Sequence, residues 1–178
     1  MMMVISMKNS LPQRKHTRMK GFDYSTSGAY FVTICTQNRQ CLFSRIICRD
    51  FSSTEVQYTD YGKIAEEQLF LLEKRFSCLK VDRYVIMPNH IHAILILEKA
   101  AGASPRPTDV KNATLAEIVC AYKSLTTRRC KSIQPIDKIF QASFYEHVIR
   151  GHEDYGKISE YIVNNPKKWE LDSLYMKE

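Results

Sequence analysis

An α+β fold, a sheet with helices packed against it, is predicted by three observations. Runs rich in aromatic and β-branched residues, notably 29–37 and 84–97, suit strands. Three longer segments, opening near residues 59, 114 and 153, carry caps, apolar stripes or first-turn acids at helical spacing. The 178 residues, 44% of them hydrophobic and 25% charged, suit one globular domain with its own core.

Residues 1–21 lack periodicity and form a basic N-terminal tail, ahead of a single domain over 22–170 and a C-terminal tail over 171–178. Ala29 to Gln37 reads as a buried strand, Leu42 to Cys48 as a second and Glu55 to Tyr58 as a short third. Thr59-Asp60 offers an N-cap for a helix of roughly 17 residues, whose stripe is Ala65, Leu69, Leu72 and Phe76. Tyr84 to Leu97 reads as two apolar strands broken at Met87-Pro88-Asn89. Residues 99–112 are polar and rich in Gly, Ser and Pro, a mobile loop inside the domain. Thr114 to Cys130 follows as a helix with Leu115, Ile118, Tyr122 and Leu125 inward. Phe140 to Arg150 is aromatic and extended, and a last helix over 153–164 stops at Pro166.

The net charge is +7 and unevenly placed. Lys8, Arg14, Lys15, Arg18 and Lys20 stand in a segment without acids, as do Lys123, Arg128, Arg129 and Lys131. Two such clusters point to a polyanion, because neutralising phosphates releases counterions, while a solvated face is the plain alternative. In the helix over 114–130 the cations also suit the helix dipole. Six cysteines contain no C-x-x-C pair, which argues against a zinc ribbon or thioredoxin-type site. No stretch approaches a membrane span or a signal core, so a cytoplasmic setting is expected.

The chemistry centres on His90-Ile91-His92. Residues two apart on a strand share a face, so both imidazoles point one way, as two metal ligands or as two half-exposed strand histidines. In the last helix Tyr161 and Asn165 are four apart and stack on one face. They suit a nucleophile with a third ligand, or equally a packing tyrosine with a helix cap. Tyr155, Ile158 and Ile162 would anchor that helix on the sheet. Tyr145 is a rival nucleophile or a core aromatic, His152 a cap or surface group, and Trp169 a base-stacking ring or a cover for the core.

Four segments in order, Tyr30-Phe31-Val32-Thr33-Ile34-Cys35-Thr36-Gln37-Asn38-Arg39, Val85-Ile86-Met87-Pro88-Asn89-His90-Ile91-His92, Phe144-Tyr145-Glu146-His147-Val148-Ile149-Arg150 and Tyr161-Ile162-Val163-Asn164-Asn165-Pro166, resemble the REP-associated tyrosine transposases. These are single-tyrosine members of the HUH nucleases, and the likeness runs from about Lys15 to Trp169. It implies a mainly antiparallel sheet with packed helices (a ferredoxin-like palm) and a divalent metal, Mg²⁺ or Mn²⁺. His90, His92 and Asn165 match the ligands and Tyr161 the nucleophile. The implied partner is single-stranded DNA folded as REP-like hairpins, cut and joined through a 5′-phosphotyrosine. Arg14, Lys15, Arg18 and Lys20, with Lys123, Arg128 and Arg129, are the expected DNA contacts.

A phenol with an ordinary pKa of about 10 needs help to ionise, from the metal or from Lys157 one turn earlier. Neither a membrane nor a nucleotide cofactor is expected, since no Gly-rich phosphate loop occurs, and monomer and homodimer both stay open. Two other classes compete: a non-catalytic hairpin-binding module, and a metal-dependent phosphoesterase that uses water.

Overall fold

The computed structural model describes residues 26–48, 54–98 and 113–176. Its elements are β1 (Gly28–Cys35), β2 (Ser44–Cys48), β3 (Thr54–Tyr58), α1 (Asp60–Arg75), β4 (Leu79–Ile86), β5 (His90–Leu97), α2 (Leu115–Lys131), β6 (Tyr145–Val148) and α3 (Gly151–Asn164), with 3₁₀ turns at Gln37–Arg39 and Pro166–Leu171. The fold is α+β, as expected. Arg14, Lys15, Arg18 and Lys20, and the loop over 99–112, lie outside the described residues.

Four strands form the main sheet in the order β4-β5-β1-β6, every neighbouring pair antiparallel. β2 and β3 do not join it; they pair with each other as a separate ribbon. The extended segment predicted over 140–150 is shorter, with strand pairing at Tyr145–Val148 and one bridge from Phe140 to Thr36.

β5 is central and apolar on both sides, and this follows from its sequence. Ile91, Ala93, Leu95 and Leu97 enter one core with Tyr30, Val32 and Ile34, covered by α1 and α2. Ile94 turns to the opposite face, where Phe31, Val85, Met87, Ile162 and Trp169 pack, with Tyr155 and Ile158 of α3 beside them. The α1 stripe of Ala65, Leu69, Leu72 and Phe76 is buried as predicted. In α2 the stripe runs through Leu115, Ile118, Tyr122, Thr126 and Cys130, so Leu125 is only half-buried. Steps of three to four residues rotate the inward face onto Thr126, one position past the predicted leucine. The Tyr122 hydroxyl donates to the Ala65 carbonyl at 2.9 Å and ties α2 to α1.

The turn that opens β5 is clamped from both sides. Thr36 donates through its backbone N–H (2.9 Å) and its hydroxyl (3.0 Å) to the Asn89 carbonyl, and Phe43 N–H donates to the Pro88 carbonyl at 3.0 Å. Ser44 Oγ reaches the Ile86 carbonyl at 2.9 Å. Carbonyls that a buried turn would leave unpaired are thus satisfied, and the start of β5 is held rigidly.

Candidate active site

His90 and His92 are 0% and 2% exposed, so they are not half-exposed strand histidines. Their rings lie 4.4 Å apart, centre to centre. His90 Nδ1 is 2.8 Å from Asn89 Oδ1, and the Asn89 amide nitrogen donates to the Leu174 carbonyl at 2.8 Å. That second bond fixes the amide so that Oδ1 must accept, hence His90 Nδ1 carries the proton and Nε2 keeps its lone pair. His90 Nε2 is buried and has no hydrogen-bond partner. His92 Nδ1 meets Thr33 Oγ1 at 2.9 Å, and its Nε2 faces the Tyr161 hydroxyl at 3.3 Å. Burial pushes the pKa of His90 down to about 4, against the pull of Asp172, and burial with the neighbouring His90 lowers His92 as well. Both rings are therefore neutral near pH 7, the form that binds metal.

α3 brings Tyr161 to these rings while Ile162, beside it, anchors the helix in the core. Tyr161 is 42% exposed, and its hydroxyl donates to Asp172 Oδ2 at 3.1 Å. Asn165, buried at the helix end, donates to the same oxygen at 2.7 Å. Its own Oδ1 is buried without a partner. Burial first, and then the Asp172 charge, raise the Tyr161 pKa to about 12.

Asp172 is the residue that sequence reasoning missed. The expected C-terminal tail folds back over its described part, with Arg39 donating to the Ser173 carbonyl at 3.2 Å and Tyr175 packing on Trp169. Leu174 N–H donates to Asp172 Oδ1 at 2.7 Å. Burial alone would raise this carboxyl, but the Leu174 N–H, the Asn165 amide and His90 outweigh it and hold it below the usual carboxylate range. Ligand atoms of His90, His92 and Asp172 lie within 4.8 Å of one another. Two neutral imidazoles, a carboxylate, and orphaned atoms on His90 and Asn165 are what a divalent cation would satisfy.

Other expected residues are placed differently. Lys157 Nζ is held by Glu153 at 2.6 Å on the exposed flank of α3, although the residue lines the same cleft as Tyr161. Lys123 donates to the carbonyls of Gln141 (2.9 Å) and Ser143 (2.9 Å), and burial lowers its pKa to about 8. It ties down a loop, whereas Arg128 and Arg129 stay exposed. Trp169 is buried, with its ring centre 5.9 Å from that of His90, and covers the core instead of offering a stacking face. Tyr145 is no core aromatic: it is 52% exposed. His147 is bonded to Asp154 at 2.9 Å, and His152 is exposed at the start of α3.

No family model matches the chain. It is 34% identical over 173 residues to an uncharacterised protein of Haemophilus influenzae, covering 92% of this chain and 93% of that one. It is 26% identical over 145 residues to a REP-associated tyrosine transposase of Escherichia coli, covering 82% and 70%. Its fold matches the solved structure of a REP-associated tyrosine transposase bound to a REP hairpin with a TM-score of 0.58, at 21% identity, over 85% of this chain and 74% of that one. Among the described residues no helix is long and apolar enough to cross a membrane.

Proposed function

Because the chain resembles the REP-associated tyrosine transposases in sequence and in fold, we propose that it belongs to that family and cuts and rejoins single-stranded hairpin DNA, with Tyr161 as nucleophile and a divalent metal as cofactor. One observation carries the proposal: the Tyr161 hydroxyl lies against His92 and Asp172, in a site that also holds the buried His90 Nε2 and Asn165 Oδ1. A protein that only held DNA would not need two neutral, buried histidines side by side, one of them facing a phenol.

His90, His92 and Asp172 would hold the ion, with Asn165 as a further oxygen donor. Bound there, a divalent cation supplies positive charge to the scissile phosphate. Burial keeps the imidazoles unprotonated, so protons do not compete for them near pH 7. The Tyr161 oxygen attacks phosphorus, its proton passes to the Asp172 carboxylate it already touches, and the bond from phosphorus to the 3′ oxygen breaks. That oxygen leaves on the side opposite Tyr161 and takes a proton from solvent to become a 3′-OH, while the 5′-phosphate stays on Tyr161. A second 3′-OH reverses the step, so joining consumes no nucleotide cofactor. Asp172 thus takes the assisting role expected of Lys157. Exposed Arg128 and Arg129 would meet flanking phosphates, together with Arg14, Lys15, Arg18 and Lys20. The proposed setting is the cytoplasm, where chromosomal DNA is reached.

The test is an adduct assay with a labelled hairpin from the protein's own locus and Mn²⁺ or Mg²⁺, run on a denaturing gel beside Tyr161→Phe. A metal-dependent shifted band absent from the variant is expected. Cleavage without that band, equal in both proteins, would make water the nucleophile. Hairpin binding with no cleavage under any metal would leave a binding module.

A further inference from the structure

A cleft of about 430 Å³ opens beside Tyr161 on the side away from Lys157. Phe31 forms its floor. Tyr161 and Tyr145 both stand edge-on to that ring, with centroids 6.1 and 6.5 Å away at interplanar angles of 84° and 70°. The sheet register explains the placement. Val85, His92, Thr33 and Tyr145 form one rung across β4, β5, β1 and β6, so Tyr145 lies on the same face as His92, two strands away. At the usual strand spacing that is about 10 Å. The rim is polar, supplied by Gln141 and Ser143. Lys123 holds this wall by donating to the Gln141 and Ser143 carbonyls, with its ammonium 5.5 Å from the centre of the Phe144 ring.

We propose that this cleft is a nucleobase slot that seats the base next to the scissile phosphate, stacked on Tyr145 and read along its edge by Gln141. The inference rests on the proposed nuclease reading for its address, and on the cleft itself for its chemistry. An aromatic ring left half-exposed on a sheet, over an apolar floor and under a polar rim, fits the flat face and hydrogen-bonding edge of a base. Continuity with the Tyr161 hydroxyl selects the base adjoining the bond to be cut. Seating that base would fix the phosphate for in-line attack, which makes Tyr145 a specificity determinant and Lys123 a positioning residue.

The experiment uses the full chain and a series of hairpins in which 2-aminopurine is moved one position at a time along the single-stranded flank. Emission at equilibrium and adduct yield are read on the same DNAs. An emission change is expected at the position adjoining the bond that the gel maps, lost in Tyr145→Ala and restored by Tyr145→Phe. Adduct formation should fall roughly ten- to hundred-fold in Tyr145→Ala, the size of one base–aromatic stack. An abasic site at that position should lower the wild-type rate similarly, and combining the two changes should cost no more than either alone. Unchanged emission in Tyr145→Ala, or additive losses, would overturn the slot. An emission change lost in Tyr145→Ala, with no adduct from the wild type on any DNA, would keep the slot and overturn the nuclease reading.

Discussion

At the scale of single residues, the site turns on which oxygen completes it. Asp172 carries a full charge and is within 4.8 Å reach of both imidazoles, whereas the Asn165 amide is neutral and gives its nitrogen to Asp172. Asp172→Asn is nearly isosteric and keeps an acceptor for the Leu174 N–H. It should therefore weaken Mn²⁺ binding about ten-fold or more while leaving the fold intact, measured as free Mn²⁺ by electron paramagnetic resonance. Asn165→Ala should cost less; the reverse ranking would assign the oxygen donor to Asn165. The sequence made His90 and His92 legible because period two on a strand forces them onto one face. It made Tyr161 and Asn165 legible through helical spacing and the family motif. Asp172 offered neither, being one acid past a proline, and only the 3₁₀ turn over Pro166–Leu171 returns it to the histidines. Tyr145 escaped for a related reason: strand pairing, not local pattern, decides which side of β6 stays uncovered.

At the scale of elements, the site depends on a docking between chain segments that contain none of its ligands. Thr59 caps α1 by accepting from Gly62 N–H at 3.1 Å, and its hydroxyl donates to the Leu42 carbonyl at 2.6 Å. The backbone at Phe43 passes so close that a Cβ on Gly62 would sit 2.0 Å from the Phe43 carbonyl oxygen. Phe43 in turn holds Pro88, next to the histidine turn. Gly62→Ala gains about 1 kcal/mol in helix propensity, yet must push backbone aside, which costs about 1–3 kcal/mol or more. The clash should win. A fall in Tm of several degrees is expected by calorimetry, with weaker metal binding below the transition; an unchanged or higher Tm would mean the 42–43 segment gives way freely. The stripe of α1 and the break at Met87-Pro88-Asn89 could be read from pattern. The desertion of β2 and β3 to their own ribbon could not, because alternation says that a strand is half-buried and never names its neighbour.

At the scale of the molecule, one sheet separates two tasks. The face under α1 and α2 is a closed apolar core, and the face under α3 carries the histidines, Tyr161 and the aromatic cleft. β5 serves both; its alternation could be read from the sequence, while the strand order, which alternation does not name, came only with the structure. The charge follows a similar division. Lys123 is turned inward to loop carbonyls, so the exposed cations of α2 are Arg128, Arg129 and Lys131, and five more stand in residues 1–20. If that segment meets phosphates, its removal should reduce the slope of log affinity against log salt for a hairpin with single-stranded flanks. The reduction should be roughly 0.7 for each phosphate no longer neutralised, and so up to about 3.5. Arg128→Ala should lower the slope by about one phosphate's share, with the Tyr161 adduct still formed at low salt. Fluorescence anisotropy at salt concentrations from about 50 to 200 mM measures both. A slope unchanged by removing residues 1–20 would place DNA recognition wholly on the folded domain, leaving Arg128, Arg129 and the cleft beside Tyr161 to hold the strand.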